Sequence, residues 1–106
     1  MTEGYYLLEG TTPVPCPDVW TWARWFESAE RHVEDTEVAP GVRVSTVFLG
    51  LDHNWGDGPP LLFESMIFWP DNPDLDQQMA RYSTWHEAEQ GHERLVECVR
   101  QALSSP

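Results

Sequence analysis

The sequence predicts an α+β domain: an antiparallel sheet of about four strands with two helices packed against it. Three observations lead there. Residues 42–69, VRVSTVFLGLDHNWGDGPPLLFESMIFW, hold two apolar runs, Val42–Leu51 and Leu61–Trp69. Between them lies Asp52–Pro60, whose Gly56, Asp57-Gly58 and Pro59-Pro60 end one strand and turn the chain into the next, as in a β-hairpin. Two further segments, one after Asp18 and one after Thr84, repeat apolar side chains at spacings of three and four, the stripe of an amphipathic helix. Finally, 106 residues provide one modest core, so a single domain over 1–106 is expected.

The hairpin carries apolar residues at consecutive positions instead of strict alternation, which predicts the centre of the sheet, at least partly covered on both faces. Before it, Tyr5–Glu9 and Val14–Cys16 flank Gly10-Thr11-Thr12-Pro13 and read as a small edge hairpin. Asp18 follows Pro17 as an N-cap, and Val19, Trp22, Ala23, Phe26, Ala29 and Val33 predict a helix over about 18–32. On its other side Trp20 and Arg24 are placed to stack, and Glu27 and Arg31 to pair at i,i+4. Thr36–Val38 is expected to pair with Val42–Thr46 across the Pro40-Gly41 turn.

After Trp69, PDNPDLDQQ reads as a surface loop and Met79–Tyr82 as a short edge strand. Thr84 and Glu87 have the spacing of a capping box, which opens a helix over about 84–103. Its stripe is Trp85, Ala88, His92, Leu95, Val96, Val99, Ala102 and Leu103, so His92 is expected on the buried face and Glu89, Glu93, Glu97 and Gln101 in solvent. Gly91 inside this helix costs about 1 kcal/mol relative to alanine, which implies that something approaches the backbone closely there.

Composition narrows the chemistry. The net charge of −12 arises from 18 acidic residues against six basic ones, all arginine. Without lysine there is no Schiff-base or P-loop lysine, and the acidity argues against direct binding of nucleic acid or of an anionic membrane. The start, MTEGYYLLEG, has an acid where a secretory signal carries positive charge, and no apolar run approaches bilayer length, so a cytoplasmic protein is expected. Cys16 and Cys98 form no CxxC and are expected as free thiols.

Asp52, His53, Glu64 and His92 form the sharpest chemical constellation. A hairpin would set His53 near Glu64, and His92 on a helix over that sheet could point to the same end. Two imidazoles and two carboxylates suit acid/base hydrolysis, and His53, Glu64 and His92 suit Zn²⁺, Mn²⁺ or Fe²⁺, yet no HExxH or HxH motif is present. The plainer expectation is that Glu64 and His92 hydrogen-bond each other beneath the last helix while His53 caps a turn. No cofactor is called for. Asp71–Asp76 superficially resembles a calcium loop, but it lacks the glycine and terminal glutamate of an EF-hand and reads as a solvated acidic loop.

The segments STVFLGLDH (45–53), PPLLFESMIF (59–68) and RYSTW…A…GH (81–92) resemble a group of small proteins encoded by tailed bacteriophages and prophages, over about the last two thirds of the chain. The resemblance implies a phage-encoded protein of the bacterial cytoplasm and carries no activity or catalytic residue with it.

Beside that stand the charge and the tryptophans. Glu27, Glu30, Glu34, Asp35 and Glu37 crowd the end of the first helix and its exit, at a cost that local structure does not explain. Six tryptophans exceed what so small a core readily buries, and tryptophan is enriched at binding hot spots. The leading expectation is therefore a non-enzymatic accessory protein that binds and modulates a host bacterial protein with a basic surface, for example a defence or nucleic-acid-processing factor. Trp20, Trp55, Glu27, Glu30, Glu34 and Glu37 would form the surface. The alternative is a small metal-dependent hydrolase or nucleotide-binding protein built on His53, Glu64 and His92.

Overall fold

The elements run β1 (Tyr6–Glu9), β2 (Thr12–Pro15), α1 (Val19–Ser28), β3 (His32–Ala39), β4 (Val42–Phe48), β5 (Phe63–Phe68), β6 (Met79–Tyr82) and α2 (Trp85–Ser104). They come from a computed structural model that describes residues 4–105; residues 1–3 and 106 of the expected domain, with Glu3 of the opening segment, lie outside the described residues. The fold is α+β, with a four-stranded antiparallel sheet in the order β3-β4-β5-β6 and a two-stranded sheet β1-β2.

The predicted hairpin is the pair β4–β5, aligned from Arg43 opposite Phe68 to Phe48 opposite Phe63, and it occupies the middle of the sheet. Alternation then sorts the side chains. Val42, Val44, Thr46 and Phe48 point to one face with Phe63, Ser65 and Ile67, all of them buried, and α2 lies across all four strands on that face. One end of the core joins Val42, Val44 and Ile67 to Val96 and Val99, and the other joins Phe48, Leu62, Phe63 and Tyr82 to Ala88.

The opposite face departs from expectation, because it is largely open. It bears Arg43, Val47, Glu64, Met66, Phe68, Met79 and Arg81, of which Phe68 and Met79 are 37% and 49% exposed; Ser45 is its buried member. Ion pairs and a stacked cation fit this face to water: Arg43 meets Asp35 at 3.0 Å and lies 5.2 Å from the Phe68 ring centre, and Arg81 meets Glu64 at 2.9 Å. Antiparallel sheets tolerate a solvated face, and the molecule is accordingly thin, 52 × 30 × 22 Å.

Helix α1 packs on the sheet end through Trp25, whose ring meets Phe48 edge-on at 6.0 Å. The Trp22 indole N–H lies 2.9 Å from the Gly50 carbonyl and 3.1 Å from that of Tyr6, tying helix, small sheet and β4 exit together. Gly50 has φ +75°, and a side chain there would press on Phe26 and Trp22.

Asp18 is the N-cap as predicted, but α1 stops at Ser28 rather than near residue 32. Glu27 and Glu30 gather at the negative end of the helix dipole with no basic residue in the last turn to offset them, and the chain from His32 to Ala39 gains a β-ladder instead. Arg31 consequently does not meet Glu27. Its guanidinium lies 3.9 Å from the Phe26 ring centre and donates to the Phe48 carbonyl.

The last helix agrees with the sequence reading, capping box included: the Thr84 hydroxyl accepts from the Glu87 N–H, and the Glu87 carboxylate accepts from the Thr84 N–H. The neighbour of Gly91 is Tyr82. A β-carbon at position 91 would overlap the Tyr82 ring and hydroxyl.

Candidate functional site

Buried side chains come first. His92 is 0% exposed, with Nε2 2.8 Å from the Thr36 hydroxyl and Nδ1 2.7 Å from the Thr46 hydroxyl. Thr46 in turn hydrogen-bonds the Ser65 hydroxyl beside it on β5. A neutral imidazole satisfies this chain, one ring N–H donating to a hydroxyl and the bare nitrogen accepting from the other. Hydroxyl–imidazole chains serve nucleophilic catalysis where substrate reaches them, but Thr46 and Ser65 are, like His92, sealed from solvent. Here the chain joins α2 to β3, β4 and β5.

The expected Glu64–His92 pair is absent, and the reason is parity. Ser65 faces α2, so Glu64 beside it faces the open side, where its carboxylate accepts from Arg81 Nε at 2.9 Å. His53 lies in the β4–β5 connection with Nδ1 2.7 Å from the Leu51 carbonyl. Asp52 holds the same connection closed, its Oδ1 accepting from the N–H groups of Asn54 and Leu61. Asn54 braces the turn further through the Asp57 and Pro59 carbonyls. The four candidates are therefore dispersed, and among the described residues no three His, Cys, Asp or Glu side chains group as metal ligands.

The acidic loop also uses its polar groups on itself. Asn72 Oδ1 accepts from the N–H groups of Asp74 and Leu75, and Asp76 Oδ1 from that of Trp69. Both thiols are free, Cys16 buried and Cys98 exposed. Sequence reasoning missed Thr36, Thr46 and Ser65. The signal was present for two of them, because a hydroxyl at an inward position of an otherwise apolar central strand needs a buried partner.

The exposed candidates are distributed differently. Trp20 on α1 and Trp55 in the β4–β5 connection are 76% and 86% exposed, whereas Trp22, Trp25, Trp69 and Trp85 are each partly buried. Glu27, Glu30 and Glu37 are exposed and Glu34 is partly buried. The Glu30 carboxylate accepts from the His32 backbone N–H and ring, which holds its pKa below the ordinary value. Glu89, Glu93 and Glu97 line the outer side of α2. No Trp20–Arg24 stack forms among the described residues. No family model matches the chain, and no curated protein or solved structure matches it. No helix among the described residues is long and apolar enough to cross a membrane.

Proposed function

We propose that this chain is a phage-encoded accessory protein that binds and modulates a host bacterial protein, without chemistry of its own, through an acidic surface carrying Trp20 and Trp55. The observation that carries the reading is the exposure of those two indoles, 76% and 86%, in a chain of net charge −12. Large exposed aromatics lose little side-chain entropy on docking and bury much apolar area, which is why they anchor interfaces. Glu27 and Glu30 at the end of α1 and Glu34 and Glu37 along β3 supply negative charge in the manner of nucleic-acid phosphates, and the partner is a host protein whose basic groove accepts it. The resemblance of residues 45–92 to phage proteins supports the setting, the cytoplasm of an infected or lysogenic bacterium. The dispersal of Asp52, His53, Glu64 and His92 weighs against the metal-dependent alternative.

The test is capture of the partner from host lysate, followed by binding kinetics at two salt concentrations. Changing Glu27, Glu30, Glu34 and Glu37 to Gln should slow association and flatten the salt dependence, since surface charges are screened beyond about 8–10 Å at physiological ionic strength. Trp20→Ala or Trp55→Ala should instead speed dissociation, with about 2 kcal/mol lost, or roughly thirtyfold in affinity. Affinity indifferent to salt and to the four glutamines would refute the phosphate-like surface.

A further inference from the structure

Helix α2 covers one face of the four-stranded sheet and leaves the other open. Across the middle of the open face Ser45, Met66 and Met79 stand side by side on β4, β5 and β6. Phe68 and Val47 extend this row along their strands, on the same side by alternation. Phe68 and Met79 are exposed and Val47 and Met66 half-buried, so the centre of the face is an apolar band broken only by Ser45. Methionine is flexible and adapts its shape to an opposing surface.

Charge decides what can cover this band. The face holds two of the six arginines, Arg43 and Arg81, and three of the 18 acidic residues, Asp35, Glu37 and Glu64. It is therefore close to neutral in a chain of net charge −12, and a second copy meets less repulsion here than over the rest of the surface.

The charges are also sorted from border to border. Strand β3 contributes Asp35 and Glu37, whereas Arg81 is the only charged residue of β6. A two-fold axis parallel to the strands, passing between β4 and β5, lays β3 of one copy over β6 of the other, acid over arginine. An axis across the strands would instead lay β3 over β3. The face is thus complementary to itself in one orientation, as an isologous contact requires.

Its extent sets the strength. Four strands about 4.8 Å apart and about six residues long at about 3.4 Å each span about 400 Å², roughly half of the 800 Å² per partner in a standard interface. That belongs to a weak, concentration-dependent contact.

We infer that the open sheet face is a homodimer interface, on which a second copy packs its own open face about a two-fold axis parallel to the strands. The sheets then lie about 10 Å apart with strand directions within about 30°, and the dimer has four layers, helix, sheet, sheet, helix. Neither Trp20 nor Trp55 takes part, so this interface stands or falls apart from host binding.

Sedimentation velocity of the full chain from about 10 µM to about 1 mM, the range of weak complexes, should show monomer passing into dimer. Methyl signals of Met66 and Met79 should shift over the same range. Phe68→Lys should weaken association tenfold or more even though it lowers the net charge, and Met79→Lys should act alike; both side chains are exposed, so both variants should keep the wild-type melting temperature. Asp35→Arg and Arg81→Asp should each weaken the dimer, and an equimolar mixture of the two should restore association by re-forming the border pairs between unlike copies. A monomer at every concentration, a dimer indifferent to Phe68→Lys and Met79→Lys, or a mixture no stronger than its components would overturn the assignment.

Discussion

The His92 imidazole and the Thr46 hydroxyl meet at 2.7 Å, joining a helix to a central strand inside a core that is otherwise mostly apolar. Thr46→Val keeps the shape and removes the hydroxyl, so a ring nitrogen and the Ser65 hydroxyl each lose a partner. Urea denaturation should show a loss of about 1–3 kcal/mol, the usual cost of a buried polar group left unpaired. His92→Ala should cost about 2–5 kcal/mol, because a cavity opens as well. Neither zinc nor a chelator should change the wild-type melting temperature; a clear shift with zinc that His92→Ala abolishes would return the histidine to metal chemistry.

Gly91→Ala should destabilise the protein even though alanine is the better helix former by about 1 kcal/mol. The added β-carbon collides with the Tyr82 ring, and overpacking of this kind typically costs about 1–3 kcal/mol. In a Tyr82→Leu background the collision disappears and the same substitution should become neutral or stabilising. Equal effects in both backgrounds would mean that the ring does not rest on the helix backbone.

A pair of double-mutant cycles distinguishes the two partners that Glu64 could have had. Coupling between Glu64 and Arg81 should be measurable at about 0.5–1 kcal/mol, as for partly exposed pairs, since their side chains are 17% and 30% exposed. Coupling between Glu64 and His92 should be near zero, because the sheet separates them.

Acid should loosen α1 before it unfolds the sheet. The Asp18 carboxylate accepts from the Thr21 hydroxyl and the Trp20 N–H, which lowers its pKa below the ordinary 3.8. A lowered folded-state value means that the stabilisation is complete above the unfolded-state value and disappears as pH falls through the folded-state one. Protection factors at Trp20–Trp22, taken relative to the intrinsic exchange rate at each pH, should therefore fall on acidification below about pH 4. Asp18→Asn retains a capping oxygen without titrating, and its α1 should lack that step.

The hairpin, the edge strand Met79–Tyr82 and the whole of α2 are legible in the sequence because their signals are local: turn residues between apolar runs, a capping box, a three-and-four stripe. The end of α1 is not, since Val33 continues the helical spacing by coincidence and belongs to the strand that β4 recruits. The Glu64–His92 reading fails for a similar reason. Sequence separation suggests proximity, but only the inward parity of Ser65 shows which side of the sheet its neighbour occupies. Exposure of Trp20 follows from its place off the helical stripe, and that of Trp55 from its place in a polar connection.

Strand β3 is one of the sheet's two borders, and its pairing with β4 is interrupted twice, between His32 and Glu34 and between Glu37 and Ala39. Glu34, Asp35 and Glu37 stand along it. An unpaired strand margin invites the strands of other chains, and kinks and like charges are how such margins are kept unattractive. The acidity concentrated there makes that margin a poor template for the strands of other chains.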